Sequence, residues 1–160
     1  MRKPEGAPPL FLEAWLALLT AHSRLIPLVS RDLEKDCGIS LAWYDVLFQV
    51  SVAADARLRM HELATAVLLS QSGLTRLVDR MESAGLVKRT AIAGDRRSLH
   101  VQVTPAGRKL VERARRVVRQ SVERHFGSHL GERELATIRD SLARVAGVAT
   151  EGGDSATRRS

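Results

Sequence analysis

Between Ser70 and Val103 the spacing of apolar residues changes once, from the three- and four-residue steps of a helix to the alternation of a strand. Leu74, Leu77, Val78 and Met81 form one helical stripe, with Ser70 as the expected N-cap and Gly85 as the stop. The opposite face carries Gln71, Ser72, Thr75, Arg76, Asp79 and Arg80. Leu86 to Thr90 then reads as a strand and Ala93 to Arg97 as a turn. Ser98 to Val103 reads as a second strand, with Leu99, Val101 and Val103 on one side. Few folds place a polar-faced helix directly before a hairpin with adjacent arginines at its tip.

The flanking segments narrow the choice. Phe11, Trp15, Leu18, His22, Leu25, Val29 and Leu33 make one long helical stripe, closed by Gly38. Pro27 interrupts it, which predicts a kink or two abutting helices, because proline removes a backbone donor and crowds the preceding turn. Ser40 caps a second helix through Trp43, Val46, Leu47 and Val50 to about Ala54, and Arg57 to Met60 suffices for a minimal strand. A third helix carries Leu63, Ala64 and Val67. After the hairpin, Thr104-Pro105 starts a helix with Leu110, Ala114, Val117, Ser121, Val122 and His125 as its stripe. A last helix after Gly131 aligns Leu135, Ile138, Leu142 and Val145. The order is that of a mainly α fold with a small β-wing, a winged helix-turn-helix. The terminal stripes exceed what a small central domain covers, so a second copy of the chain is the expected partner. The resulting plan is a disordered 1–9, one domain over 10–150 and a flexible tail at 151–160. Within the domain, the winged helix-turn-helix spans about 40–104, and dimerisation helices span about 10–37 and 105–150.

Composition fits this plan. Of 160 residues 44% are hydrophobic and 27% charged, a soluble globular balance. No apolar run is expected to reach the roughly 20 residues of a membrane span, and no secretory signal is read at the N-terminus. Cys37 is the single cysteine, so no disulfide forms within one chain. A cytoplasmic protein without cofactor is expected. The net charge of +7 suits a polyanion, and the 4% aromatic content leaves the basic stretches without stacking platforms for single strands. Double-stranded DNA is the expected partner.

Two elements carry that expectation. Gln71, Ser72, Thr75 and Arg76 stand where a recognition helix reaches base edges, with Arg80 on the same polar face. The Ser70 hydroxyl and the helix N-terminus suit a phosphate. At the turn, Arg96 and Arg97 suit a narrow minor groove, and Asp95 makes sense as the group that holds Arg97. Each element alone also fits a solvated helix face or an ordinary turn; their succession is the stronger signal.

The segments Leu74-Thr75-Arg76-Leu77-Val78-Asp79-Arg80-Met81-Glu82, Gly85-Leu86-Val87-Lys88-Arg89, Asp95-Arg96-Arg97-Ser98 and Val103-Thr104-Pro105-Ala106-Gly107-Arg108 resemble the MarR family of bacterial regulators, as does Trp43-Tyr44-Asp45-Val46-Leu47. The resemblance spans roughly Leu10 to Val148. It implies a triangular homodimer whose dimer layer comes from the first and the last two helices. It implies that the helix from Ser70 reads the major groove, and that Asp95 and Arg97 are the wing pair, with Arg97 in the minor groove. It also implies a pocket between the dimer layer and the DNA-binding lobe, where small aromatic or anionic effectors relieve repression.

Trp15 and His22, with Trp43, Tyr44 and Asp45, are the expected effector residues, and plain core packing is the alternative. Cys37 follows Glu34, Lys35 and Asp36, an acidic setting that argues against a reactive thiolate. His125 and His129 stand four apart, but Gly127 between them predicts that the helix is ending, so no metal site is expected. The basic stretch Arg108 to Arg124 suits contact with DNA or attraction of an anionic ligand, and a solvated helix face is the favoured reading. No catalytic constellation is read, and no enzyme is expected. The competing reading is a winged helix that binds only protein, against which Arg76, Arg96 and Arg97 stand.

Overall fold

The computed structural model describes residues 8–67, 71–92 and 95–147. All but two positions of the segment 1–9 expected to be disordered, and all of the expected tail at 151–160, lie outside them. The chain groups into two compact units, Met1–Ser121 and Val122–Ser160.

The first unit opens with α1, Leu10–Cys37. It runs through Pro27 as one helix rather than two. Proline deletes a single rung of the ladder, and the turns on either side keep theirs. Gly38 ends it in the left-handed region (φ 70°), its N–H donated to the Glu34 carbonyl at 3.0 Å. Helix α2 is Leu41–Val52, and the Ser40 hydroxyl accepts the Trp43 N–H at 3.3 Å as its cap. Strand β1, Arg57–Arg59, leads directly into α3, Met60–Ala66. The Arg59 N–H that starts α3 is taken by the Glu62 carboxylate at 2.9 Å. Helix α4 is Gln71–Ser83, and the expected Ser70 cap lies outside the described residues.

Strands β2, Val87–Ile92, and β3, Asp95–Val103, pair antiparallel, with β1 on the far edge of β3. The second strand is longer than expected. The backbone of Asp95, Arg96 and Arg97 belongs to β3 rather than to a turn, and Ile92 opposes Asp95 across a bulge at Ala91/Ile92. A bulge lets pairing continue past the register of the regular ladder, which alternation of apolar residues alone does not reveal. The sheet buries Val87, Val101 and Val103 against Val46, Leu47, Val50, Leu63, Leu74, Val78 and Met81. Val29, Leu33 and Cys37 complete this core from the C-terminal third of α1.

Helix α5 is Pro105–His125, capped by Thr104. Val111, Ala114 and Ser121 are its buried positions together with Gly107, whereas Val122, placed on the expected stripe, is 40% exposed. In the second unit a 3-10 turn, Gly127–His129, precedes α6, Glu132–Ala146. No residue of α6 is buried, and Val145 is 84% exposed.

Helix α1 revises one expectation. An 18-residue window in it has a mean hydropathy of 1.2, so by length and composition it is long enough to cross a membrane. The apolar residues are spread around the helix instead of concentrated in one run. Leu10, Phe11, Leu12, Trp15, Leu16, Leu18, Leu19 and Ile26 are all exposed in the single chain.

Candidate nucleic-acid interface

Helix α4 divides its circumference cleanly. Leu74, Leu77, Val78 and Met81 are buried in the core, while Ser72, Thr75, Arg76, Asp79 and Arg80 are exposed. Arg76 and Arg80 hold no ion pair among the described residues. Their guanidinium groups therefore remain available to an outside acceptor. Gln71, Asp95, Arg96 and Arg97 are described by their backbone, at the first turn of α4 and at the start of β3. Ser70 and Gly94 lie outside the described residues.

The hairpin is tied to this helix by one residue that sequence reasoning quoted without giving it a role. In the sheet register Arg89 lies opposite Val101, on the inner, core-facing side. Its Nη1 donates to Glu82 Oε2 at 2.6 Å and its Nη2 to Asp79 Oδ1 at 2.6 Å. Nη2 also reaches the Thr75 carbonyl at 3.3 Å, and the Arg89 backbone N–H donates to Glu82 Oε1 at 2.8 Å. Thr75, Asp79 and Glu82 recur at helical steps of four and three, so one guanidinium fork spans two turns of α4. The Arg89 side chain is only 18% exposed, which shields these bonds from water more than those of a surface pair. The fork does two things. It fixes the angle between helix and wing, and it neutralises the two acids of α4 that would otherwise repel phosphate.

A second tie closes the base of the hairpin. The Thr104 hydroxyl donates to the Gly85 carbonyl at 2.7 Å and accepts the Gly107 N–H at 3.1 Å. The Thr104 N–H donates to the Leu86 carbonyl at 3.0 Å. One threonine thus caps α5 and holds the end of α4 in place.

The expected effector residues fall into two groups. Trp15 is 55% exposed and His22 is exposed, and they lie about 21 and 10 Å up the α1 axis from Val29, its first buried residue, at 1.5 Å per residue. Within one chain they are not packed against the start of α2. Trp43, Tyr44 and Asp45 are half-buried there. Tyr44 stacks on Phe48 with centroids 5.8 Å apart, and the Arg115 guanidinium sits 5.2 Å from the Phe48 ring centroid. Phe48 was missed, although the four-residue step from Tyr44 is a readable signal; Arg115 belongs to the basic stretch Arg108 to Arg124, but its pairing with the Phe48 ring has no mark in the sequence. Asp45 lines a cleft of about 210 Å³ with Leu41, Ala42 and Val67.

Burial raises the Asp45 carboxyl above its ordinary range. Burial also raises the Tyr44 phenol, against a lowering by Arg115 and with a smaller raising by Asp45. A raised carboxyl favours the folded state at low pH, and that contribution fades as pH rises through its folded pKa. Asp45→Asn should therefore melt higher than the wild type at pH 7, and the gap should close as pH falls toward the ordinary carboxylate range. Thermal melts at fixed protein concentration over that range test this; a gap that widens on acidification would mean the carboxylate is stabilised, not desolvated.

Cys37 is buried, and its carbonyl accepts from Arg113 at 3.2 Å. His125 ends α5 whereas His129 sits in the 3-10 turn beyond it, so they do not share a helix. Among the described residues no three His, Cys, Asp or Glu side chains gather as metal ligands.

A family model described as "MarR family" matches residues 38–98. The HTH-type transcriptional regulator PecS of Dickeya dadantii is 33% identical over 144 residues, covering 86% of this chain and 84% of its own. Among solved structures, AbsC, a MarR family transcriptional regulator from Streptomyces coelicolor, superposes with a TM-score of 0.81 at 29% identity, over 92% of this chain and 97% of that one. A MarR variant from E. coli complexed with operator DNA gives a TM-score of 0.74 at 26% identity, over 86% and 99%.

Proposed function

The chain belongs to the MarR family and is a DNA-binding transcriptional regulator, and on that footing we propose that it is a ligand-responsive repressor that grips a pseudo-palindromic operator as a homodimer. The observation that carries this reading is the Arg89 fork, which presents the polar face of α4 and the wing as one surface. Thr75, Arg76 and Arg80, with Ser70, Gln71 and Ser72 at the helix start, read the major groove. Asp95, Arg96 and Arg97 serve the wing, with Arg97 in the minor groove. Two recognition helices of a dimer then lie about 34 Å apart, one turn of duplex.

The exposed apolar surface of α1 supports the dimer, because eight large hydrophobic side chains in one helix need a cover that the described residues of a single chain do not provide. The helices of about 10–37 and 105–150 supply that layer, and the segment of about 40–104 binds DNA. Tyr44, Asp45 and Trp43, with Arg115, form the chain's own wall of an effector site for a small aromatic acid; Trp15 and His22 contribute only if α1 packs there in the dimer. The effector acts by preferring a dimer whose half-site spacing no longer fits the operator. The protein's work is then cytoplasmic, and no catalytic step is assigned to it.

The test is a salt titration of binding to a duplex that the protein selects from a random pool, against a scrambled duplex. A preference of about 10³-fold or more, with affinity falling steeply as salt rises, is the expected result. Equal weak binding to both would reduce the protein to a non-specific basic partner of DNA. On the selected duplex, Arg76→Ala should lose roughly 10- to 100-fold and change base preference, whereas Arg97→Ala should weaken all sequences alike. Equal losses for Arg76→Ala on selected and random duplexes would remove its specificity role.

A further inference from the structure

The outer face of the wing sheet is cationic, and two of its cations are exposed and without an ion pair among the described residues. Register fixes its composition. Arg57 of β1 and Lys88 of β2 both oppose Gln102 of β3, and Arg59 and Thr90 both oppose His100. Partners across an antiparallel ladder share a face, and alternate rows share the same one. The row between them, Leu58, Val101 and Arg89, faces the core, as the burial of Val101 requires. Arg57, Arg59, Lys88 and His100 therefore stand on one surface, and the two rows they occupy, with Gln102 and Thr90, carry no carboxylate. Adjacent strands lie about 4.8 Å apart, and alternate rows are about 7 Å apart. The cations thus form a patch roughly 10 Å by 7 Å, continuous with the hairpin that ends in the wing tip.

The charges are not equivalent. Arg57 is held by Asp55, Nη2 to Oδ2 at 2.9 Å, and Asp55 itself adopts a left-handed backbone (φ 57°) just before β1. Arg59 and Lys88 are exposed and have no ion pair among the described residues. Two free cations on the outside of a wing match the repeating negative charge of a duplex, one per 3.4 Å along each strand.

We infer that this face is a second DNA-contacting surface, which takes phosphates of the duplex flanking the operator through Arg59 and Lys88, with Arg57 held in reserve by Asp55. The inference rests on the DNA-regulator reading above and adds to it a surface that neither reads bases nor enters a groove. It makes the affinity depend on the length of DNA outside the recognised sequence.

The experiment uses the full chain and two duplexes. One is a sequence of about 40 base pairs that the wild type selects from a random pool; the other is the same sequence trimmed to the protected minimum. The double variant Arg59→Gln/Lys88→Gln should bind the trimmed duplex within twofold of the wild type. On the flanked duplex it should lose about tenfold, and its log-affinity against log-salt slope should shrink by about 1.8, near 0.9 for each lost phosphate contact. Asp55→Asn, a change that the left-handed backbone tolerates, should move the other way, tightening the flanked complex and steepening its slope. Arg76→Ala should lose affinity on both duplexes, which separates failure of recognition from failure of the flank. Equal losses of the double variant on both duplexes would overturn the inference, because the substitutions would then act through the recognised sequence or the fold. Unchanged slopes in both variants would also overturn it and would leave the face to an acidic protein instead.

Discussion

Arg89→Met should lower the melting temperature by about 4–8 °C, the equivalent of about 2 kcal/mol in a chain of this size, and should weaken DNA binding by about tenfold or more. The stability figure is set by the setting of the fork. A fully exposed ion pair contributes about 0–1 kcal/mol, and hydrogen bonds to charged groups about 1.5–3. The Arg89 side chain is 18% exposed, but its partners Asp79 and Glu82 are 56% and 38% exposed, so the two bonds together fall between those limits. Methionine keeps most of the volume and removes the donors. Two carboxylates on α4 would then face outward without a cation, on the helix that must approach phosphate, and the wing would lose its fixed angle. Arg89→Lys should recover the charge but not the fork, and so only part of both losses. Melts at fixed protein concentration and binding to the selected duplex measure the two effects. A Met variant that melts like the wild type would show that the core, not the fork, sets the wing.

Gly107→Ala should be destabilising by about 2–3 kcal/mol, although helix propensity alone predicts a gain of about 1 kcal/mol for the same change. The opposition in sign makes the measurement decisive. Gly107 sits two residues inside α5, where its N–H caps onto Thr104. A Cβ there would overlap the Leu86 carbonyl oxygen and stand 2.8 Å from Val103 Cγ1. That oxygen already accepts the Thr104 N–H at 3.0 Å. Relief therefore requires α5 to back away from β2 and β3, which breaks the cap. The expected loss is about 5–10 °C in melting temperature. Gly127→Ala is the control, because a Cβ there meets nothing closer than the Val122 carbonyl at 3.9 Å. A Gly107 variant that gains stability would mean that the helix can shift at little cost.

The local parts of this architecture were readable in the chain. Ser40, Gly38, Gly85 and Thr104-Pro105 punctuate it where helices begin and end, and the switch from helical to alternating spacing announces the wing. Each of these signals acts over a few residues, through a cap or a left-handed turn. What the sequence does not reveal shares a cause in non-local contacts. Arg89 has no readable role in the sequence, because only the pairing with Val101 turns it inward. Arg115 joins the Phe48 ring from 67 positions further along the chain, with no local mark. On α5 the burial of Val111 rather than Val122 depends on what the helix meets, which its own periodicity does not reveal. Of the nucleic-acid surface, the face of α4 was legible because amphipathic spacing defines it. The outer face of the sheet was not, because it exists only once three strands are in register.

The apolar surface of α1 also has a meaning in time. The helix is synthesised before α2, the sheet and α5, which together bury its last third through Val29, Leu33 and Cys37. At about 5–20 residues per second, roughly 75 further residues, or about 4–15 s, separate the emergence of α1 from that of Val111 and Ala114. During that interval its hydrophobic side chains have neither a core nor a sister chain. Pairing of two such helices on neighbouring ribosomes would be a short route out of that exposure. The yield of the folded protein would then depend on how densely its message is loaded as much as on the stability of the finished chain.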